Sequence, residues 1–351
     1  MTTAGRDALQ LDFVTLDVFT DQRFLGNPLA VVLVPAAARS RLSQDAKQRI
    51  AREFNLSETV FLHTLDEEPD RGVTARQIDI FTPEEELPFA GHPTVGSAFL
   101  VLRHLGWTHV DTLQTKSGPI RIEPRLVRGR PGVRASIPHA VHVHRRTLGD
   151  LLAAPSTSSD ATATATATAI LRGLSDDPTI QRREREAPAV SIVRGMAFVL
   201  VELPGVEQLA RVTTAKRIRF DEVEGLLDDG PWAHGFVSRY YYVRTGEADG
   251  AQTIRARMVE PGFEDPATGS AACALASHLA LQGRGTQVAI TQGVEMGRQS
   301  EMFVSVALRE GRDDGGQDDE IAEVHLGGSA VVVMSGRITV HAAEEEERAT
   351  W

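Results

Sequence analysis

Residues 89–105 read FAGHPTVGSAFLVLRHL, and residues 265–281 read DPATGSAACALASHLAL. Each stretch opens on a proline-bearing turn, passes through Gly-Ser-Ala and continues with apolar residues almost free of charge. A helix that is apolar all round has no solvent face, so both are expected to be buried core helices. Gly106 and Gly283 close them, in the manner of glycine at a helix C-terminus. His92-Pro-x-x-Gly-Ser-Ala98 matches Asp265-Pro-x-x-Gly-Ser-Ala271 at an offset of 265 − 92 = 173 residues, which reads as an internal duplication. Two such helices would bring N-termini rich in unpaired N–H groups towards one interface, where an anion could be held.

The flanks fit this picture. LDFVTLDVF (11–19) and LAVVLV (29–34) alternate as strands around Gly26-Asn27-Pro28. Ser43 is placed to cap a helix through Ala46, Ile50 and Phe54 that ends near Asn55. Ser57 to Leu62 favours a strand with Glu58 at its entrance, and Gln77 to Phe81 favours another. In the second half, strands are expected at Ala197–Glu202, Phe236–Val243 and Arg255–Val259. Residues 156–169, STSSDATATATATA, offer no large apolar side chain, which reads as a flexible insertion. The expected organisation is a first half over 11–145, an insertion and linker over 146–189, a second half over 190–340 and an acidic tail over 341–351.

At 351 residues the chain suits two domains, and 42% hydrophobic with 24% charged residues suits a globular protein. A net charge of −11 has the wrong sign for a nucleic-acid binder. Part of the excess lies in two solvated runs, Asp313 to Glu320 and Glu344 to Glu347. No apolar stretch is long enough to span a bilayer and MTTAGRDALQ lacks a signal core, so a cytoplasmic protein without a membrane partner is expected. A single cysteine, Cys273, forbids an internal disulfide framework and a cysteine zinc site. His139, His142 and His144 could share a strand face, but no carboxylate partner is evident in the sequence. With no phosphate-binding glycine loop either, neither metal nor cofactor is expected.

In order and spacing, ETVFL (58–62), FAGHPTVGSA (89–98) and EDPATGSA (264–271) resemble the PhzF family. The likeness extends to LDVFTDQRFLGNPLAVVL (16–33), Gln292-Gly293, Met296-Gly297-Arg298 and Gly327-Gly328. It implies an α+β fold of two pseudo-symmetric diaminopimelate-epimerase-like domains, each a mixed sheet wrapped round a central helix, with the site between halves. It also implies a homodimer and an isomerase that shifts a proton on a small carboxylate-bearing metabolite such as a dihydro-hydroxyanthranilate. Glu58 would be the proton shuttle, assisted by His92, Asp265 and Ser270, with Gly91, Gly269 and Ala271 binding substrate.

Physical chemistry supports these roles. A carboxylate in a partly apolar site is shifted towards neutrality and so serves as a base, which suits Glu58. Asp265, just before a helix N-terminus, is held charged and suits orienting a substrate group. His92 can polarise at neutral pH, and Ser270 with the Gly269 and Ala271 amides can bind a carboxylate. Taken singly, Glu58 could be a solvated strand-end residue and Asp265 an ordinary cap. A two-thiol epimerase or racemase of the same fold would need a second cysteine. A non-catalytic binding or regulatory protein of this fold is the alternative, opposed by the intact set of four. The Pro261–Asp265 loop is shorter than usual for the family, and Gln299 replaces a proline.

Overall fold

The computed structural model describes residues 8–65, 72–153, 161–213, 223–309 and 320–340. Both ends of the chain lie outside these residues, as do Asp313, Asp314, Asp318, Asp319, the run Glu344 to Glu347 and residues 154–160. The chain divides into two units, one made of residues to Ala135 and from Gly328 onward, the other of Ser136–Gly327.

In the first unit, β1 (Leu9–Val18) and β2 (Asn27–Val34) form the expected antiparallel pair. Helix α1 (Gln44–Phe54) follows; Ser43 caps it by accepting the Ala46 N–H, and Asn55 ends it in the left-handed region. β3 (Thr59–His63) joins β2 in parallel, and β4 (Ala75–Phe81) returns antiparallel to β3. The short β5 (Glu86–Leu87) pairs antiparallel with the end of β4. Then comes α2 (Gly91–Phe99), extended by a π-helical turn over Leu100–His104. β6 (Thr112–Thr115) is parallel to β4, and β7 (Gly118–Val127) and β8 (Arg130–Ser136) continue antiparallel. Helix α2 is buried from Gly91 to Ala98 and packs on β1, β2, β3 and β7. A Cβ at Gly96 would lie 2.5 Å from Leu29, so only glycine lets the helix come this close to β2.

The second unit opens with β9 (His142–Val143). The residues expected to be a linker then form α3 (Leu148–Ala153), α4 (Ala161–Gly173) and α5 (Pro178–Glu186). Leu148, Ile170, Leu174 and Ile180 enter one core cluster with Val199, Val201 and Tyr241. So the described residues of 146–189 form a packed helical layer of this unit, in which Thr164 to Ala169 are exposed or half-exposed helix surface. β10 (Ala189–Val193), β11 (Met196–Glu202), α6 (Val206–Arg211), β12 (Phe236–Ala248), β13 (Ala251–Glu260) and β14 (Phe263–Asp265) follow. Then come α7 (Gly269–Leu281), β15 (Gln287–Gln292), β16 (Ser300–Arg309) and β17 (Glu320–Gly328). The last strand, β18 (Ala330–Val340), belongs to the first unit and lies antiparallel along β1, which corrects the expectation of a second half running to 340.

Pairing in the second unit repeats that of the first. β10/β11 are antiparallel, β11/β12 parallel, β12/β13 and β13/β14 antiparallel, β13/β15 parallel, β15/β16 and β16/β17 antiparallel. α7 is buried almost throughout and packs on β10, β11, β15 and β16. The mixed sheet around a central helix expected from the sequence is thus present in each unit. The register differs from the motif match, however. Ile80 faces Leu87 and Met258 faces Asp265, while the helices start at Gly91 and Gly269, so the structural offset is 258 − 80 = 178 residues. His92 therefore corresponds to Ser270, and Asp265 to Leu87. The 173-residue match slid the two helix starts by five residues because Pro-x-x-Gly-Ser-Ala recurs inside α2 but straddles the start of α7.

Candidate active site

Glu58 stands immediately before β3, its side chain 17% exposed. Its Oε2 lies 3.2 Å from His92 Nδ1, within ion-pair distance but without hydrogen-bond alignment. His92 is the second residue of α2 and is buried. Removal from water pushes the Glu58 carboxyl up to about 7, against a lowering hydrogen bond from Ser57. The parallel register of β3 on β2, with Thr59 opposite Ala30, sets where Glu58 enters the unit. Gly91 begins α2, whose N-cap, Ala90, has no side chain able to cap.

In the second unit, Asp265 closes β14 and pairs with Met258. The short family loop is accommodated here by a two-residue hairpin turn, Pro261-Gly262, with Gly262 at φ +86. Pro followed by a left-handed Gly is the chemistry of a type II turn. The Asp265 Oδ2 accepts the Thr268 hydroxyl at 2.6 Å. Thr268, the N-cap residue, makes no side-chain cap bond to the helix. Gly269, Ser270 and Ala271 form the first turn of α7, with Ser270 half-buried and its neighbours buried. Sequence reasoning missed Thr268, whose hydroxyl donates to the Asp265 carboxylate, Gln292, whose amide donates to the Asp265 carbonyl, and Tyr240, whose hydroxyl donates to Gln292. Gln292 stood in a quoted motif, and Thr268 inside DPATGS, yet spacing alone showed no role for either. Gln299, in place of the family proline, donates to Glu301 at 2.9 Å.

At the positions of the second unit that topology equates with Glu58 and His92 stand Ser238 and Ser270. Among the described residues, the carboxyl–imidazole pair of Glu58 and His92 is thus matched in the second unit by two serines.

Residues 16–336 match the model of the phenazine biosynthesis-like proteins, PhzC-PhzF. The chain belongs to this family. It is 33% identical over 352 residues to an uncharacterized isomerase of Mesorhizobium japonicum, covering 94% of this chain and 99% of that one. It is 32% identical over 335 residues to the trans-2,3-dihydro-3-hydroxyanthranilate isomerase of Pseudomonas chlororaphis, covering 93% and 99%. Among solved structures, a Bacillus anthracis PhzF-family protein shares the fold with a TM-score of 0.65 at 20% identity, covering 94% of this chain and 99% of that one.

Within this PhzF-family chain one histidine expectation needs correction. His142, on β9, does have a carboxylate partner, Asp228, at 2.9 Å, and His144, His142 and Asp228 bring ligand-type atoms within 4.8 Å of one another. His139 turns to the Ile137 and Ile321 carbonyls instead. Sequence could not show Asp228, 86 residues away. The cluster is already hydrogen-bonded, since His144 Nδ1 accepts the Asp228 N–H and its Nε2 meets Ser191 Oγ, each at 2.9 Å. Both nitrogens of His144 are engaged, which does not fit a metal ligand. Burial, aided by His142, pushes His144 down to about 4, keeping it a neutral acceptor.

Proposed function

We propose that the chain is a PhzF-type isomerase in which Glu58 moves a proton between two carbons of a small carboxylate-bearing metabolite. The relatives named as isomerases support an isomerase- or epimerase-type enzyme, and the observation that carries the finer reading is the half-buried Glu58 beside His92. A carboxyl near 7 is both an adequate base and an adequate acid at neutral pH, so one group can take a proton and return it. In this reading one C–H bond breaks as the Glu58 carboxylate takes the proton. The double bond shifts, and the same proton closes a new C–H bond at the receiving carbon. His92 polarises the substrate, Asp265 orients its polar substituent, and Ser270 with the Gly91, Gly269 and Ala271 region binds its carboxylate. A symmetric two-base epimerase would need an acid–base group at the position of Ser238 or Ser270, and serine is a poor base there.

Trans-2,3-dihydro-3-hydroxyanthranilate, the substrate in the relatives' names, is the first compound to assay. Glu58→Gln keeps size and polarity while removing the base, so kcat should fall by about 10²–10⁴ with little change in ligand affinity. Turnover in D₂O should place deuterium at the receiving carbon where the shuttle exchanges with solvent. An active Glu58→Gln enzyme would end this mechanism, and a wild-type protein that binds but never converts would mark a binding protein.

A further inference from the structure

Gln292 ends β15 with no exposed surface. A primary amide has two donor hydrogens and an oxygen with two lone pairs, and here all four are used. Oε1 accepts the Tyr240 hydroxyl at 3.0 Å and the Thr268 N–H at 3.2 Å. Nε2 donates to the Asp265 carbonyl at 2.8 Å and to the Thr268 hydroxyl oxygen at 3.1 Å. Three of these four partners belong to the turn from Asp265 to Thr268. The next residue, Gly293, has φ +74, and a Cβ on it would stand 2.7 Å from the Pro266 carbonyl oxygen and 2.5 Å from that of Arg298. Side chain and backbone of this dipeptide are thus both seated on the turn that carries Asp265.

The consequence concerns one hydrogen atom. The Thr268 hydroxyl has a single proton. Because Nε2 donates into its oxygen, that proton is left for Asp265 Oδ2, which it reaches at 2.6 Å. Were the amide reversed, its oxygen would compete for the proton and the carboxylate would lose a donor. The Thr268 N–H prevents the reversal, because a backbone N–H can only donate and needs an acceptor opposite; the phenol of Tyr240, kept protonated by burial and by the nearby Asp265, gives its proton to the same oxygen.

We propose that Gln292, fixed by the Thr268 N–H and Tyr240, is a positioning residue that acts through the Thr268 hydroxyl to hold and aim the Asp265 carboxylate. The proposal rests on the reading that Asp265 contacts substrate. Two measurements separate the fate of the two. In substrate-free protein labelled with ¹³C at aspartate carboxyls, the pH at which the Asp265 resonance titrates should move upward in Thr268→Val and in Gln292→Glu, because a lost donor favours the protonated form. It should return towards the wild-type position in Thr268→Ser. With trans-2,3-dihydro-3-hydroxyanthranilate as probe, kcat/KM should fall about 10–100-fold in each of the first two variants, the equivalent of one hydrogen bond to a charged group. Thr268→Ser should recover most of it, and the double variant should be no slower than the worse single one, since both remove the same proton from the carboxylate. An unmoved titration in Thr268→Val, or multiplicative losses in the double variant, would overturn the proposal. A wild-type enzyme that leaves the probe untouched would overturn the isomerase reading alone, and the titration would still decide the role of Gln292. Thr268→Val serves both measurements should Gln292→Glu fail to fold.

Discussion

Glu58 makes stability depend on pH in a direction unusual for a carboxylate. Its folded value, about 7, lies above the ordinary 4.5, so between these the folded chain binds more protons than the unfolded one. Stability then falls as pH rises through this window, by about 3 kcal/mol in full, because each pKa unit is worth about 1.4 kcal/mol. Glu58→Gln cannot ionise, so it should melt near the wild type at pH 5 and clearly above it at pH 8. Equal differences at the two pH values would contradict the raised carboxyl. Catalysis has the opposite slope: kcat/KM should rise with pH to a plateau above about 7, as the carboxylate form accumulates. At this scale the motifs pointed to Glu58, His92, Asp265 and Ser270, of which Glu58 and His92 stand side by side. They could not expose Tyr240, which reads as one of three strand tyrosines and meets Gln292 across 52 residues.

Helix α1 illustrates what an element hides. Its cap, length and buried Ala46 and Ala51 follow from sequence, but Lys47 looks like a surface lysine and is only 6% exposed. Its ammonium lies 2.5 Å from Asp79, which His63 also meets at 2.8 Å, tying α1 to β3 and β4. Burial pushes the Asp79 carboxyl up, but bonds from His63 and Lys47, and their charge, outweigh it and hold the group well below the ordinary range. The stabilisation is therefore present above the ordinary aspartate value near 4 and is lost only as pH falls through the lower folded value. Asp79→Asn should cost about 3–5 kcal/mol in urea unfolding at neutral pH, since it strands a buried ammonium. A cost below 1 kcal/mol would show the lysine escaping to water. Helix α4 was misread because Ala/Thr alternation carries no apolar period, although alanine is the best helix former. The information lies just beyond the repeat, where Ile170 and Leu174 are four residues apart and both buried. Ile170→Ala should cost about 2–5 kcal/mol, whereas Thr164→Ala on the exposed face should stay within about 0.5 kcal/mol. Similar melting temperatures for the two would mean that α4 does not anchor its unit.

At the scale of the molecule, the duplication was legible in two buried helices and a repeated Pro-x-x-Gly-Ser-Ala, while its register was not. Strand pairing, with Leu87 opposite Ile80 and Asp265 opposite Met258, is a long-range property that a seven-residue match cannot fix. Nor did local sequence show that β18 completes the first unit, because an alternating strand at the end of a chain suits any open edge. The pairing of Leu9 through Val18 with Val340 through Ala330 settles its place. This return has a consequence for synthesis. A ribosome finishes the residues to Ala135 and must then add 329 − 135 = 194 more before β18 begins, about 10–40 s at 5–20 residues per second. Throughout that interval β1 has β2 on one side and an unfilled row of N–H and C=O groups on the other, the template on which nascent chains cross-pair. A chain halted after Gly328 should therefore keep slow amide exchange in β10 to β16 while exchanging rapidly in β1. Adding a synthetic Ala330–Val340 peptide in trans should restore protection to β1, and protection of β1 without it would show that the first sheet can close before translation ends.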